Sequence, residues 1–371
     1  MKKIIYLALT AATTFLLIQS CSKSSDSGSK NTNTGSSFDR KAMLVNISSN
    51  IIIPAYTSYH DATVSLDAAV TMFNTTPTAD NLTALQNSFI AVYKQWQSVS
   101  MFGFGPALDA NLGANTNTYP VDLTQINANI SSGIYNPALL ANYAAKGLPA
   151  FDYLLFGTGA DNTAILTQFT TDSKAANRKT YLAALSVELK TNATTVLNAW
   201  NGSYKNTFLS ATGIDGSSSA SHLANQLIQD YENLKNYEIG IPAGIQSMGT
   251  TFPTKVQAYY SKISLQLSLL HLKATQNVYT GGSGLGLDDY LISLNAKTTG
   301  NASLNDAIQA QFSTAAVKLQ TLTDPLSASI ISNPTAVTAT YTELQKLVPL
   351  LKNDMTSAIG IAISFGDNDG D

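Results

Sequence analysis

An all-α fold of two antiparallel helical bundles is what this sequence predicts, and three observations predict it. Apolar residues recur at three- and four-residue spacing along almost the whole chain after residue 38. Alternating apolar and polar runs bounded by hairpin turns are absent. One Gly- and Ser-rich stretch, Ala211 to Ser221, interrupts the helical pattern and divides it into comparable halves.

Each helix follows from its own stripe. A first helix is expected from Asp39 to Phe73, with Pro54 breaking or kinking it, because proline lacks an N–H and its ring crowds the preceding turn. Leu82, Leu85, Phe89, Val92, Tyr93 and Trp96 share one face of the next, and Thr78 is placed to cap it. Leu182, Leu185, Leu189, Val196, Leu197 and Trp200 form another stripe, and Leu223, Leu227, Tyr231 and Leu234 one more. Val256, Tyr260, Ile263, Leu267, Leu270, Ala274 and Val278 predict a long helix. The last two run from Leu304 to Leu322 and from Val337 to Met355. These assignments give an N-terminal bundle over 38–210 and a C-terminal bundle over 211–371. Each half holds a Gly-x-Pro-Ala element, Gly147 to Ala150 and Gly240 to Ala243, which an old duplication would explain.

The first 37 residues carry an address rather than a fold. Lys2 and Lys3 precede an apolar run from Ile4 to Ile18, the layout of a secretory signal peptide over 1–20. Ile18-Gln19-Ser20-Cys21 is similar to the lipobox of bacterial lipoproteins, and Cys21 is the only cysteine in 371 residues. Lipidation at Cys21 is therefore expected, with residues 21–37, which lack apolar side chains after the cysteine, as a flexible tether. Ser22 after the cysteine favours the outer membrane under the usual sorting rule. The expected localisation is the cell envelope, and the membrane is a partner through the lipid. A net charge of -3 without a Lys/Arg cluster in the mature chain makes nucleic acid an unsuitable partner.

Few residues offer chemistry. The three histidines, His60, His222 and His271, do not form His-Glu-x-x-His. His271 lies beside Leu267, Leu270 and Ala274, the setting of a hydrogen-bonded core histidine. Gly281 to Gly286 follows a helix and lacks nucleotide-binding spacing, so it reads as a helix connection. The acidic run Asp367 to Asp371 is not a complete calcium loop and reads as a solvated terminus.

The segment Lys146-Gly147-Leu148-Pro149-Ala150-Phe151-Asp152-Tyr153-Leu154-Leu155-Phe156-Gly157 is more informative. It resembles the imelysin family, in which a Gly-Leu-Pro-Ala-x-Glu-Tyr-Leu-Leu-Phe stretch recurs. Phe104-Gly105-Pro106, Tyr119-Pro120-Val121-Asp122, Ile239-Gly240-Ile241-Pro242, Tyr259-Tyr260-Ser261 and Val278-Tyr279-Thr280-Gly281-Gly282 extend the resemblance in the same order. It implies an envelope or secreted protein of two helical bundles, named in some members for peptidase activity and in others for iron uptake or regulation.

The family motif Gly-x-His-x-x-Glu falls on Gly147, Pro149 and Asp152, so proline replaces histidine and aspartate replaces glutamate. A pyrrolidine ring neither binds metal nor transfers a proton, which removes the best ligand and leaves iron or another divalent metal unsupported by the motif. Pro149 suits the first turn of a helix, Gly147 an unusual backbone angle, and Asp152 the positive end of that helix. Phe102, Phe104, Tyr119, Tyr153 and Phe156 are candidates to line an adjoining cleft. The expected function is a non-catalytic envelope binding protein for a small ligand or peptide, in iron or other nutrient acquisition. The alternatives are a metal-dependent peptidase and a purely structural surface protein.

Overall fold

The computed structural model describes residues 38–365. The expected signal peptide and tether, with Cys21 between them, and the acidic run 367–371 lie outside them. Among the described residues the fold is all-α as expected, and extended pairing is confined to one antiparallel bridge between Lys297 and Ser303.

In the first half the helix Ile53–Thr75 packs against both Ala79–Trp96 and Ala175–Ala199. Its buried residues, Tyr56, Tyr59, Thr63, Leu66, Val70 and Phe73, alternate steps of three and four, which keeps them on one face. Thr78 caps Ala79–Trp96 as expected, accepting from the Asn81 N–H at 3.2 Å. The second half is built from Ser219–Asn233, Ser264–Tyr279, Leu304–Gln320 and Pro334–Pro349. Residues 211–218 form the non-helical link. Buried apolar side chains of both halves merge into one contiguous core.

Two expectations need correction. Pro54 interrupts the regular turns of the first helix without ending it. Arg40–Asn46 and Ile53–Thr75 are joined by a wide helical turn, Ile47–Ile52, in which the Ile53 N–H reaches back five residues to the Ser48 carbonyl. Widening that turn absorbs the proline ring where a regular turn would collide with it. The long helix expected from Val256 starts only at Ser264. Residues 256–263 leave the helical path, with Ala258 and Lys262 at φ values of 51° and 63°. Carboxylates elsewhere take the freed donors: Asp152 accepts from Tyr260 and Ser261, and Asp324 from Leu265 and Gln266.

The two Gly-x-Pro-Ala elements are not conformationally equivalent. Gly147 opens a helix at φ 66°, whereas Gly240 closes the wide turn Leu234–Gly240. This pair of elements gives a duplication no support. The Gly281–Gly286 turn is a helix connection as expected. The Asn46 amide ties it down, donating to the Gly281 and Leu285 carbonyls at 2.7 and 2.9 Å.

Candidate functional site

The segment 146–157 folds as its glycine and proline require. Gly147 takes a positive φ because the chain passes directly under residue 116: a Cβ at Gly147 would lie 2.2 Å from the Thr116 carbonyl oxygen. The helix Gly147–Asp152 follows, with Pro149 in its first turn, and runs into the wide turn Tyr153–Gly157.

Asp152 does not stand at the positive end of that helix, as the sequence suggested; it closes it. Its buried carboxylate accepts the backbone N–H groups of Tyr260 at 2.8 Å and Ser261 at 2.9 Å. Burial pushes its pKa up to about 6, against the lowering effect of the Ser261 hydroxyl and the two N–H donors. The side chain thus anchors the irregular segment 256–263.

Of the five aromatic candidates, only Tyr119 joins Pro149 and Asp152 on the wall of a cavity of about 320 Å³. Tyr259 and Tyr260 complete that wall. Phe104 is a core residue, packed against Trp200, Phe208 and His222. Phe102 is buried against Tyr56, Phe156 packs on Phe89, and Tyr153 packs at a tilt against Tyr260. These rings have the composition of a cleft lining but fill space between helices instead.

Tyr119 also faces a second cavity, of about 340 Å³, formed by side chains from both halves of the chain. Trp96, Gln97, Ser100 and Asn117 come from the first half, and Asp230, Tyr237, Glu238 and His271 from the second. The Tyr93 hydroxyl orients Asn117 by donating to its Oδ1 at 2.7 Å.

At the back of this cavity His271 lies between two carboxylates. Its Nε2 donates to Asp230 Oδ2 at 2.5 Å and its Nδ1 to Glu238 Oε1 at 2.8 Å. Hydroxyls fix both acids: Ser100 donates to Asp230 Oδ2 at 3.0 Å, and Ser268 to Glu238 Oε2 at 2.6 Å. Asp230 lies in the last turn of the helix Ser219–Asn233, while Glu238 lies in the wide turn Leu234–Gly240, where the Ile241 N–H bonds the Asn236 carbonyl five residues back. Wide turns of this kind concentrate at functional sites.

Burial alone would push the imidazole pKa down; the adjoining charges of Asp230 and Glu238 overcome it and hold it up at about 10. The ring is an imidazolium at neutral pH, and two carboxylates against one cation leave the group with a net charge of about -1. Burial, then the fields of Glu238 and Asp230, raise the Tyr119 phenol well above its usual range, so its hydroxyl stays a donor.

The sequence placed His271 in a bonded core setting, which the structure bears out, but did not connect it with Asp230, Glu238 and a cavity. One signal was available. Asp230 and Glu238 stand four residues either side of Leu234, on the same stripe as Leu223, Leu227 and Leu234. A carboxylate on a buried stripe requires a partner. His60, by contrast, pairs locally with its neighbour Asp61 at 2.9 Å.

Comparison with known proteins agrees with this architecture. Iron-regulated protein A of Synechococcus elongatus is 20% identical over 292 residues, covering 76% of each chain. An imelysin-like protein from Psychrobacter arcticum 273-4 superposes with a TM-score of 0.67 at 17% identity, over 88% of this chain and 97% of that one. A Parabacteroides distasonis ATCC 8503 protein, provisionally described as an iron-regulated protein A precursor, gives 0.71 at 16% identity, over 85% and 95%. At these identities the two structures establish the shared fold. The imelysin (peptidase M75) family model matches residues 52–353, which takes in the Gly147–Asp152 motif, Tyr119 and the whole His271 group, and the chain belongs to the imelysin family.

Proposed function

We propose that this protein is a lipid-anchored binding protein of the cell envelope, non-catalytic, whose ligand occupies the cavity beside His271. The observation that carries this reading is the state of its ionisable groups. Both nitrogens of His271 donate to carboxylates, so the ring offers no lone pair to a metal or a proton. Pro149 offers none either, and both oxygens of Asp152 are taken by backbone N–H groups. The family name implies a metallopeptidase, yet among the described residues no group of three or more His, Cys, Asp and Glu side chains could hold a metal ion. These donors do not fit a catalytic metal. Hydroxyl, amide, aromatic and charged groups converging on an open cavity fit recognition. The names of two relatives tie them to iron regulation, and a role in nutrient acquisition accords with that.

The test is native mass spectrometry of the protein extracted from its own membranes. A small-molecule adduct is expected on the wild type and is lost in Ala114→Trp, which puts an indole into the cavity that Ala114 lines. Chelator-sensitive peptide cleavage that survives this substitution would overturn the reading. Anchoring is tested separately. Radiolabelled palmitate should enter the outer-membrane fraction of the wild-type protein and be absent from Cys21→Ser; equal labelling of both would refute lipidation there.

A further inference from the structure

The ligand class can be read from what the cavity leaves unpaired, an argument that rests on the binding reading above. We infer that the cavity takes a small monocation: a protonated primary amine with a neutral hydroxyl or carbonyl close by. Four groups point to it. Asp230 Oδ2 is occupied by His271 and Ser100, whereas Oδ1 has no hydrogen-bond partner among the described residues. Gln97, only 1% exposed, donates its Nε2 to the Tyr93 carbonyl at 3.2 Å, and its Oε1 has no partner among the described residues. These two acceptors suit the several N–H donors of an ammonium group. Trp96, 4% exposed, lines the same wall, and among the described residues neither its indole N–H nor the Tyr119 hydroxyl has a hydrogen-bond partner. Two donors call for an acceptor on the ligand.

Charge decides which acceptor. The lining holds two carboxylates and a single cation, His271, already bonded to both acids. An anionic ligand would meet a net negative wall with no free cation to receive it, whereas an ammonium restores neutrality beside largely buried carboxylates, where water screens the interaction weakly. The faces of Trp96, Tyr119 and Tyr237 add cation–π attraction. A ligand carboxylate or phosphate is disfavoured by the same charge, so its acceptor is neutral.

Titration calorimetry on the wild-type chain, with glycinamide and 2-aminoethanol as probes, tests this. Both are expected to bind, and acetate is not. Asp230→Asn should weaken them at least tenfold, and Gln97→Leu and Trp96→Phe several-fold each. The latter two leave the His271 group intact, so they remain informative if Asp230→Asn fails to fold. Heat from acetate or from Fe²⁺, with none from either amine, overturns the ammonium assignment while the cavity stays a binding site. Amine binding that Asp230→Asn, Gln97→Leu and Trp96→Phe leave unchanged overturns it too. If no probe binds and wild type and Ala114→Trp carry the same adducts in native mass spectra, both readings fall.

Discussion

Replacing His271 with leucine is expected to destabilise the protein by about 3–5 kcal/mol, the usual cost of stranding buried charge. The side chain is 3% exposed and holds Asp230 and Glu238 at hydrogen-bonding distance. Without it, two largely buried carboxylates lie close together with only Ser100 and Ser268 bonding them among the described side chains. Equilibrium urea unfolding measures the loss. A triple variant that also carries Asp230→Asn and Glu238→Leu should recover part of it, because no unpaired charge then remains. If His271→Leu costs under about 1 kcal/mol, the imidazolium does not hold the two acids.

The same group fixes a pH dependence. The folded pKa of His271, about 10, lies above its unfolded value of 6.5. The folded state therefore binds the proton more tightly than the unfolded chain does. Stability from this source is complete below about 6.5 and is lost as pH rises toward 10. Wild type should lose several kcal/mol across that window, and His271→Leu should show a much flatter profile there. Asp152 titrates below the window, at about 6, and does not obscure it.

Gly147→Ala is expected to cost roughly 2–5 kcal/mol, the sum of a left-handed backbone on a residue with a Cβ and an overpacked contact. The new atom would meet the Thr116 oxygen at 2.2 Å and the Asn115 oxygen at 2.9 Å, both backbone atoms that cannot rotate aside. Residues 115–119 must then shift, carrying Asn117 and Tyr119 out of the cavity wall. Urea midpoints and probe affinity should fall together. A fall in stability with unchanged affinity would show that the cavity does not depend on this contact.

What the sequence disclosed and withheld follows from the range of the forces involved. Helix faces and the Thr78 cap are local, set by residues three or four apart, and were legible from spacing alone. The start of the helix at Ser264 was not. Val256 and Tyr260 keep helical spacing, but Asp152, 108 residues away, takes the N–H of Tyr260 that would continue the helix backwards. His271 was recognisable as a bonded histidine. Its partners, 41 and 33 residues earlier in the chain, were not identifiable from its own helix. The aromatic residues near the motif were ambiguous in principle, since Phe104 in a core and Tyr119 on a cavity wall differ in surroundings and not in local pattern.

The helical segment that bears Glu238 closes its bonds over five residues where a regular helix uses four. Deleting one residue between 234 and 237 would restore the regular count and rotate the residues inside the turn by up to about 100°. Glu238 would swing off the imidazole and a different side chain would take its place, with no acid replaced. The place of Glu238 beside His271 is therefore encoded partly in chain length at a single point, and a gain or loss of one codon there would separate the pair while every acidic residue is kept.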